Sequence, residues 1–188
     1  GCGIGGNTEF LMKSGYELEA LSPDDFQKSV INEKFASKVT FHHCKFEDFQ
    51  ADKMFDLILE SESACYINIK EGFSNAREAL RDGGYLLASD YFVHFRDTSR
   101  SPHLKSSHDL KKYLASAEEN GFELLREYDQ TENTMPTLDY GKYLFNRFVE
   151  PTIDYISYSS KKSFPKMALV IGNFIKSKYN QKKYQIDL

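Results

Sequence analysis

Glycine occupies four of the first six positions, in the run Gly1-Cys2-Gly3-Ile4-Gly5-Gly6. Glycine tolerates positive φ angles and close approach of a ligand to the backbone. Loops of this kind connect the first strand of a nucleotide-binding α/β domain to the helix that follows. No strand precedes the loop here, so the sequence is either a fragment that begins at this loop or a chain with an unstructured leader. The segments downstream favour a fragment whose first strand is missing, along with any N-terminal lid.

Strand-like and helix-like segments alternate after this loop. Residues 55–60 are apolar almost throughout, which predicts a central parallel strand buried on both faces. The alternation predicts an α/β fold with a doubly wound, mostly parallel, Rossmann-like sheet and helices on both faces. The predicted helices are residues 7–14, 23–36, 67–80 and 107–120, and the predicted strands are residues 16–21, 39–43, 55–60, 85–90 and 122–129.

Several element boundaries carry their own signals. Ser22 is the predicted N-cap of the second helix, with Pro23 at its first position. Residues 81–84 predict a tight turn, residues 91–106 predict a polar loop, and Gly121 is the predicted C′ residue of the helix before it.

The last sixty residues have a different pattern. Aromatic and apolar side chains recur at roughly helical spacing from residue 138 to 158, and Pro151 is expected to break or kink the helix. Residues 167–175 are apolar and fit a helix or a strand equally well, and residues 184–188 fit the start of a final strand. We expect a core at residues 1–130 and a C-terminal helical insertion at residues 131–188, packed over the sheet edge or the mouth of the active site.

Composition limits the possible partners and compartment. The net charge of −4 argues against a nucleic-acid partner, and no segment reaches the length of a membrane span. Cys2, Cys44 and Cys65 form no CxxC pair, which predicts reduced thiols and a cytoplasmic location. His42 and His43 point to opposite faces of a strand, so no metal site is predicted. The oligomeric state is not readable.

Five segments occur in the order and spacing of one known family. They are the glycine-rich loop, the Leu-Ser-Pro segment at residues 21–27, the acidic segment at residues 46–49, the strand and exit at residues 55–63, and the turn and strand at residues 78–87. This constellation resembles class I S-adenosylmethionine-dependent methyltransferases. It is similar to their small-molecule branch, which includes the tocopherol, sterol and related C-, N- and O-methyltransferases.

The resemblance implies S-adenosylmethionine as the cofactor, with the glycine-rich loop beside its methionine and ribose portions. Alternatives stay open at several positions: Ser22 as a plain helix cap, Gln27 as a solvated side chain, Phe46 as core, and Glu47 as part of a solvated acidic loop. No acidic residue ends the strand predicted at residues 16–21, and Lys45 stands where many relatives carry an aspartate. The residues implied for cofactor binding are Gly1, Cys2, Gly3, Gly5, Leu21, Ser22, Gln27, Phe46, Glu47, Glu60 and Ser61.

The expected reaction is methyl transfer by in-line displacement to a nitrogen, oxygen or carbon nucleophile of a small molecule, with a hydrophobic acceptor as one option. Such a reaction needs mainly alignment and exclusion of water. Glu62, Tyr66 and His94 are the candidates for contact with the acceptor or for proton transfer. Two alternatives remain open: a non-catalytic protein that binds the cofactor for regulation or scaffolding, and a protein methyltransferase.

Overall fold

The computed structural model describes residues 1–52, 54–93 and 107–163. These residues fall into two compact units, one made of the described residues up to Val93 together with residues 107–124, the other of residues 125–163. The first unit contains the α/β part of the chain, and the second is helical. In the described residues, no helix has both the length and the apolarity that crossing a membrane requires.

The first unit begins with two alternations of helix and strand. Helix α1 (Gly6–Lys13) follows the glycine-rich loop and leads to strand β1 (Glu19–Leu21). Helix α2 (Asp25–Phe35) then leads to strand β2 (Thr40–His42). Strands β1 and β2 pair in parallel, with Glu19 opposite Thr40.

A second parallel pair follows. Strand β3 (Phe55–Ser61), helix α3 (Ile69–Ala79) and strand β4 (Leu80–Ser89) form a βαβ unit in which β3 and β4 are parallel. The register passes from Phe55 opposite Leu80 to Leu57 opposite Tyr85. Residues 81–84 therefore form the expected turn as a bulge at the start of β4, where Gly83 has φ 75°.

A third, very short pair involves strands β5 (Phe92–Val93) and β6 (His108–Asp109), and helix α4 (Leu110–Glu119) follows. The helix predicted from residue 107 starts three residues later because Asp109 is its N-cap and accepts a hydrogen bond from the Lys112 N–H at 3.1 Å. Gly121 has φ 80° just beyond the C-cap Asn120, so its predicted C′ position is confirmed.

The parallel strand pairs, two of which are joined by the crossover helices α2 and α3, form a Rossmann-like α/β fold, as the sequence predicted. Their assembly into one doubly wound sheet with helices on both faces stays a prediction. The strand predicted at residues 122–129 was wrong, since residues 122–130 form no helix or strand. Phe122 packs into a hydrophobic cluster there, whereas most residues that follow are exposed.

Two hydrophobic clusters stabilise this unit. The first joins the loop and α2 to β1 and contains Ala20, Ile31, Phe35 and Val39. The second joins α3 and α4 to β4 and contains Ala64, Phe73 and Tyr113, with Leu86 and Ala88 packed against it.

Burial of β3 on both faces was also wrong for the part of the chain that the structure describes. Ile58 and Glu60 pair with Leu86 and Ala88, which face the α3–α4 cluster. The opposite face stays open, because Leu57 is 42% exposed and its cross-strand partner Tyr85 is 58% exposed.

The second unit contains helix α5 (Thr131–Leu144), a π-helical turn (Phe145–Val149) and helix α6 (Glu150–Ser163). A break or kink was expected at Pro151. The π turn directly precedes this residue, and the helical backbone continues through it into α6. Proline offers no N–H to the preceding turn. The hydroxyl of Thr152 donates to the Phe148 carbonyl at 2.6 Å within the same stretch.

Candidate functional site

The start of the glycine-rich loop lies against the carboxyl end of β1. The backbone nitrogens of Gly1 and Cys2 both donate to the Leu21 carbonyl, at 2.9 and 3.2 Å. The Gly5 N–H then donates to the Cys2 carbonyl at 3.3 Å, which closes the turn ahead of α1. The loop is thus fixed at the edge where α/β sheets bind ligands.

Three positions in the loop need glycine for different reasons. A Cβ on Gly1 would lie 2.5 Å from the Ser63 Cβ, and one on Gly5 would lie 2.6 Å from the Phe35 ring. Gly3 has φ 55°, and no atom lies within 4 Å of the place where its Cβ would be. The backbone at Gly3 is therefore open to approach by a ligand, whereas Gly1 and Gly5 let the loop pack closely on the protein.

Ser22 is not the helix N-cap that the sequence predicted. The N-cap of α2 is Asp24, whose carboxylate accepts the Gln27 N–H at 2.7 Å. Ser22 is 2% exposed, and its hydroxyl accepts the Asp24 N–H at 3.2 Å. Asp24 is the cap because its extended backbone (φ −87°, ψ 123°) directs the carboxylate back to the open N–H groups of the first turn.

Gln27 lies beside the glycine-rich loop. Its side-chain oxygen is 3.9 Å from the Cys2 thiol, which donates to it. Ser22 and Gln27 are the two polar side chains expected to contact the cofactor at this end of β1. Ser22 is buried in the turn. Gln27 is half-buried and faces the loop.

The exit of β3 lies next to the same loop, through the contact of Gly1 with Ser63. Glu60 is 6% exposed, and Ser61 is the last residue of the strand. Glu62 has φ 51°, and its N–H donates to the Ser89 carbonyl at 2.8 Å. The structure therefore brings the loop, Leu21, Gln27 and the β3 exit together at the carboxyl ends of β1 and β3.

Phe46 and Glu47 lie in a 3₁₀ turn (Phe46–Asp48) that is tied to α3. The Phe46 carbonyl accepts a hydrogen bond from the Asn75 side-chain amide, and the Glu47 carboxylate accepts the Asn68 N–H at 2.8 Å. Both residues are half-buried. The Glu47 carboxylate thus already has a protein partner.

Of the three candidates for contact with the acceptor, two are placed. Tyr66 is 78% exposed in the 3₁₀ turn after the β3 exit, and Glu62 occupies the positive-φ position described above. His94 lies outside the described residues.

The sequence interpretation missed a buried pair beside the site. The Tyr113 hydroxyl donates to a Glu60 carboxylate oxygen at 3.1 Å, and Tyr113 is itself only 8% exposed. Burial raises the pKa of Glu60, while the hydrogen bond from Tyr113 opposes that shift. The pKa of Tyr113 is raised as well, first by burial and then by the Glu60 carboxylate. No spacing in the sequence links these two residues, since they are 53 positions apart.

Two further residues missed in the sequence hold the segment after β3. The Asp90 carboxylate accepts the Cys65 N–H at 2.9 Å, and His108 Nε2 lies 2.9 Å from both the Ala64 and Ile67 carbonyls. Burial, followed by the neighbouring Asp90 carboxylate, raises the pKa of Cys65 to about 11. Cys65 is therefore a protonated thiol in neutral solution and a weak nucleophile.

Asn68 was missed as well, although its position carries a sequence signal. Its side-chain oxygen accepts the Lys70 and Glu71 N–H groups at the start of α3. Asparagine followed three positions later by glutamate is a common helix-start pattern.

The arrangement fits the cofactor that the sequence implied. An open positive-φ glycine, a polar side chain at the loop and a buried carboxylate at the strand exit suit a ligand with a polar amino-acid portion and a nucleoside portion. Among the described residues, no group of histidine, cysteine, aspartate and glutamate is arranged to hold a metal ion.

Comparison with known families and structures adds to this geometry. Residues 1–88 match the model of a family described as "Methyltransferase domain". This match agrees with the resemblance stated from the motifs over the segment that contains them. No curated protein sequence matches the chain.

Three solved structures illustrate the fold. Geranyl diphosphate C-methyltransferase from Streptomyces coelicolor A3(2) is 20% identical, with a TM-score of 0.66 over 74% of this chain and 58% of that one. Phosphoethanolamine N-methyltransferase 2 from Haemonchus contortus is 16% identical, with a TM-score of 0.65 over 94% of this chain and 44% of that one. The [4+2]-cyclase SpnF is 18% identical, with a TM-score of 0.58 over 67% of this chain and 50% of that one.

These likenesses establish the shared fold. The chain spans 44–58% of the length of the three structures.

Proposed function

We propose that this protein, which carries a methyltransferase domain over residues 1–88, transfers a methyl group from S-adenosylmethionine to a small-molecule acceptor. The observation that carries the proposal is the meeting of the glycine-rich loop with Leu21, Gln27 and the β3 exit at one edge of the α/β unit. Two of the similar structures, named for geranyl diphosphate and phosphoethanolamine, support a small-molecule acceptor.

The chain's own residues have distinct roles in this proposal. The loop backbone around Gly3 and the polar side chain of Gln27 hold the cofactor, and Glu60 and Ser61 border its methionine portion. Bound S-adenosylmethionine supplies a methyl group that is already activated by a sulfonium charge. The protein therefore contributes alignment and exclusion of water. Glu62 and Tyr66 are the described side chains proposed to meet the acceptor.

The same proposal includes two statements about the architecture of the protein. The described strand pairs are taken as parts of one doubly wound sheet, and residues 131–188 as a helical insertion that forms the lid or wall of the acceptor pocket. Aromatic side chains exposed on the described helices of that region support the second part, with Tyr140 at 61%, Tyr143 at 57% and Phe148 at 59%.

Calorimetric titration of the full chain with S-adenosylmethionine and S-adenosylhomocysteine tests the cofactor part of the proposal. Gly3→Ala adds a methyl group where the ligand would approach, and we expect it to weaken both ligands about tenfold or more. Gly15→Ala is the matched control, because Gly15 also has positive φ and an open Cβ position but lies after α1. Absence of binding to the unaltered protein, or equal binding by both variants, would contradict the proposal.

Production of S-adenosylhomocysteine with a panel of small amines, phenols and carboxylic acids tests the transfer step. We expect turnover with at least one acceptor class. Binding of the cofactor without turnover on this panel would favour a regulatory or scaffolding protein instead.

A further inference from the structure

The 3₁₀ turn after β3 (Ala64–Tyr66) carries Tyr66, one of the two described side chains proposed to meet the acceptor. Tyr66 is 78% exposed, so the direction of its side chain depends mainly on the backbone that carries it. Within the turn, the Ile67 N–H donates to the Ala64 carbonyl at 3.0 Å. Because hydrogen-bond geometry in 3₁₀ turns is poor, contacts from outside the turn decide how firmly it is held.

His108 supplies such a contact. It lies in β6, and its Nε2 atom is 2.9 Å from the carbonyl oxygens of both Ala64 and Ile67, which are 44 and 41 positions away in the chain. These carbonyls stand at the start of the turn and directly after its end, so one ring nitrogen spans it. The half-buried imidazole lies nearly parallel to the Tyr113 ring, with centroids 6.1 Å apart and planes at 19°. Packing thus fixes the imidazole, and the imidazole fixes the turn.

The chemistry of this contact determines which nitrogen of His108 carries a proton. Carbonyl oxygens only accept hydrogen bonds, so Nε2 must carry the hydrogen that lies between them. Both distances are normal for an N–H···O bond, and one donor shared by two acceptors is a common arrangement. The neutral ring is therefore the Nε2–H tautomer. A protonated ring keeps the same donor, so the contact exists in either charge state.

Resting on the proposed function, we propose that His108 is a positioning residue for acceptor binding. As the Nε2–H tautomer, it fixes the backbone of residues 64–67 and thereby the direction of Tyr66. Both hydrogen bonds go to this turn rather than to the glycine-rich loop. The role therefore concerns the acceptor and leaves the affinity for the cofactor unchanged.

Heteronuclear NMR of the imidazole nitrogens tests the tautomer in the unaltered full chain. We expect His108 to show a protonated Nε2 and, at a pH where the ring is neutral, an unprotonated Nδ1. Loss of this signal in His108→Gln assigns it. The opposite tautomer would overturn the proposal, because Nε2 could then not donate to either carbonyl.

Two variants separate the donor from the ring. His108→Phe keeps an aromatic ring beside Tyr113 but has no donor, whereas His108→Gln places an amide N–H near the Nε2 position. Each acceptor of the panel that the unaltered protein methylates serves as the probe. We expect His108→Phe to raise the KM for the acceptor about tenfold and His108→Gln to recover most of that loss. Both variants should change the affinity for S-adenosylhomocysteine less than about threefold.

Asn120→Ala is the matched control. Asn120 is also half-buried, and its side-chain amide donates to the Ser116 carbonyl at 2.8 Å, at the opposite end of α4 from His108. Its loss removes a hydrogen bond of the same kind and should leave the acceptor KM unchanged. A KM that does not rise in His108→Phe, or that rises equally in Asn120→Ala, would overturn the positioning role.

The tautomer measurement needs no substitution to fold, so it decides the proposal where His108→Phe is unfolded. Failure of the unaltered protein to bind S-adenosylhomocysteine, or to methylate any acceptor of the panel, would instead remove the proposed function itself. The two failures are therefore distinguishable.

Discussion

At the scale of single residues, the site combines groups with opposite requirements for space. Gly1 and Gly5 are needed because a side chain at either position would collide with Ser63 or Phe35. Gly3 has no such neighbour, so its positive φ keeps an open stretch of backbone. The same glycine-rich run therefore packs at two positions and leaves room at a third.

Glu60 leads to a prediction about stability and pH. Burial raises its pKa above the ordinary value of 4.5, so the folded protein binds this proton more tightly than the unfolded chain does. The contribution of Glu60 to stability is therefore fully present below pH 4.5. It is lost as the pH rises through the higher pKa of the folded state.

Chemical denaturation of the unaltered protein and Glu60→Gln across the pH range from 4.5 upward measures this effect. We expect the free energy of unfolding of the unaltered protein to fall relative to that of the variant as the pH rises. Parallel pH profiles for the two proteins would show that the Glu60 carboxylate is not desolvated.

At the scale of secondary-structure elements, caps and backbone contacts set where the site-forming segments begin and end. Asp24 starts α2, Asn68 starts α3 and Asp109 starts α4, each through a side chain that accepts backbone N–H groups. Asn68 has a second role, because its own N–H donates to Glu47. It therefore links the start of α3 to the Phe46–Asp48 turn.

Asn68→Ala tests this capping role. The change removes the acceptor for two N–H groups, and we expect it to reduce the free energy of unfolding by about 1 kcal/mol. Asn32→Ala is the control, because Asn32 is exposed within α2 and caps no helix. Urea denaturation of both variants provides the measurement, and an equal effect would contradict the cap.

Element types were predicted better than element ends. The helices at residues 7–14, 23–36 and 67–80 and the strands at residues 39–43, 55–60 and 85–90 all have counterparts in the structure, because apolar periodicity follows directly from a buried face. The N-cap of α2 was misplaced by two residues, since Ser22 and Asp24 carry equally good capping side chains and only the backbone decides between them. The strand expected at residues 122–129 is absent from the described structure, because strand formation depends on a partner that local sequence does not specify.

At the scale of the whole molecule, the chain separates into an α/β unit and a helical unit of residues 125–163. The helical unit exposes many aromatic and aliphatic side chains along α5, the π turn and α6. We propose that this helical unit contributes to the acceptor pocket.

Hydrogen exchange with and without S-adenosylhomocysteine tests the assembled site. We expect slower exchange at residues 1–6, 21–27 and 60–66, and no change at the turn of residues 81–84, at the other end of β4 from Ser89. Slower exchange at residues 131–163 would support the lid or pocket-wall proposal. Protection confined to the α/β unit would contradict it, and uniform exchange throughout would contradict the cofactor site.

The sequence by itself determined the class of fold and the segments that form the site. Glycine spacing, apolar strand runs and the acidic segments are local patterns, and local patterns can be read along one chain. Only the tertiary structure decided which side chains meet: Tyr113 with Glu60, Gln27 with Cys2, and Asp90 with Cys65. These contacts join residues 25–53 positions apart, and their existence depends on how helices and strands pack rather than on any periodicity in the sequence.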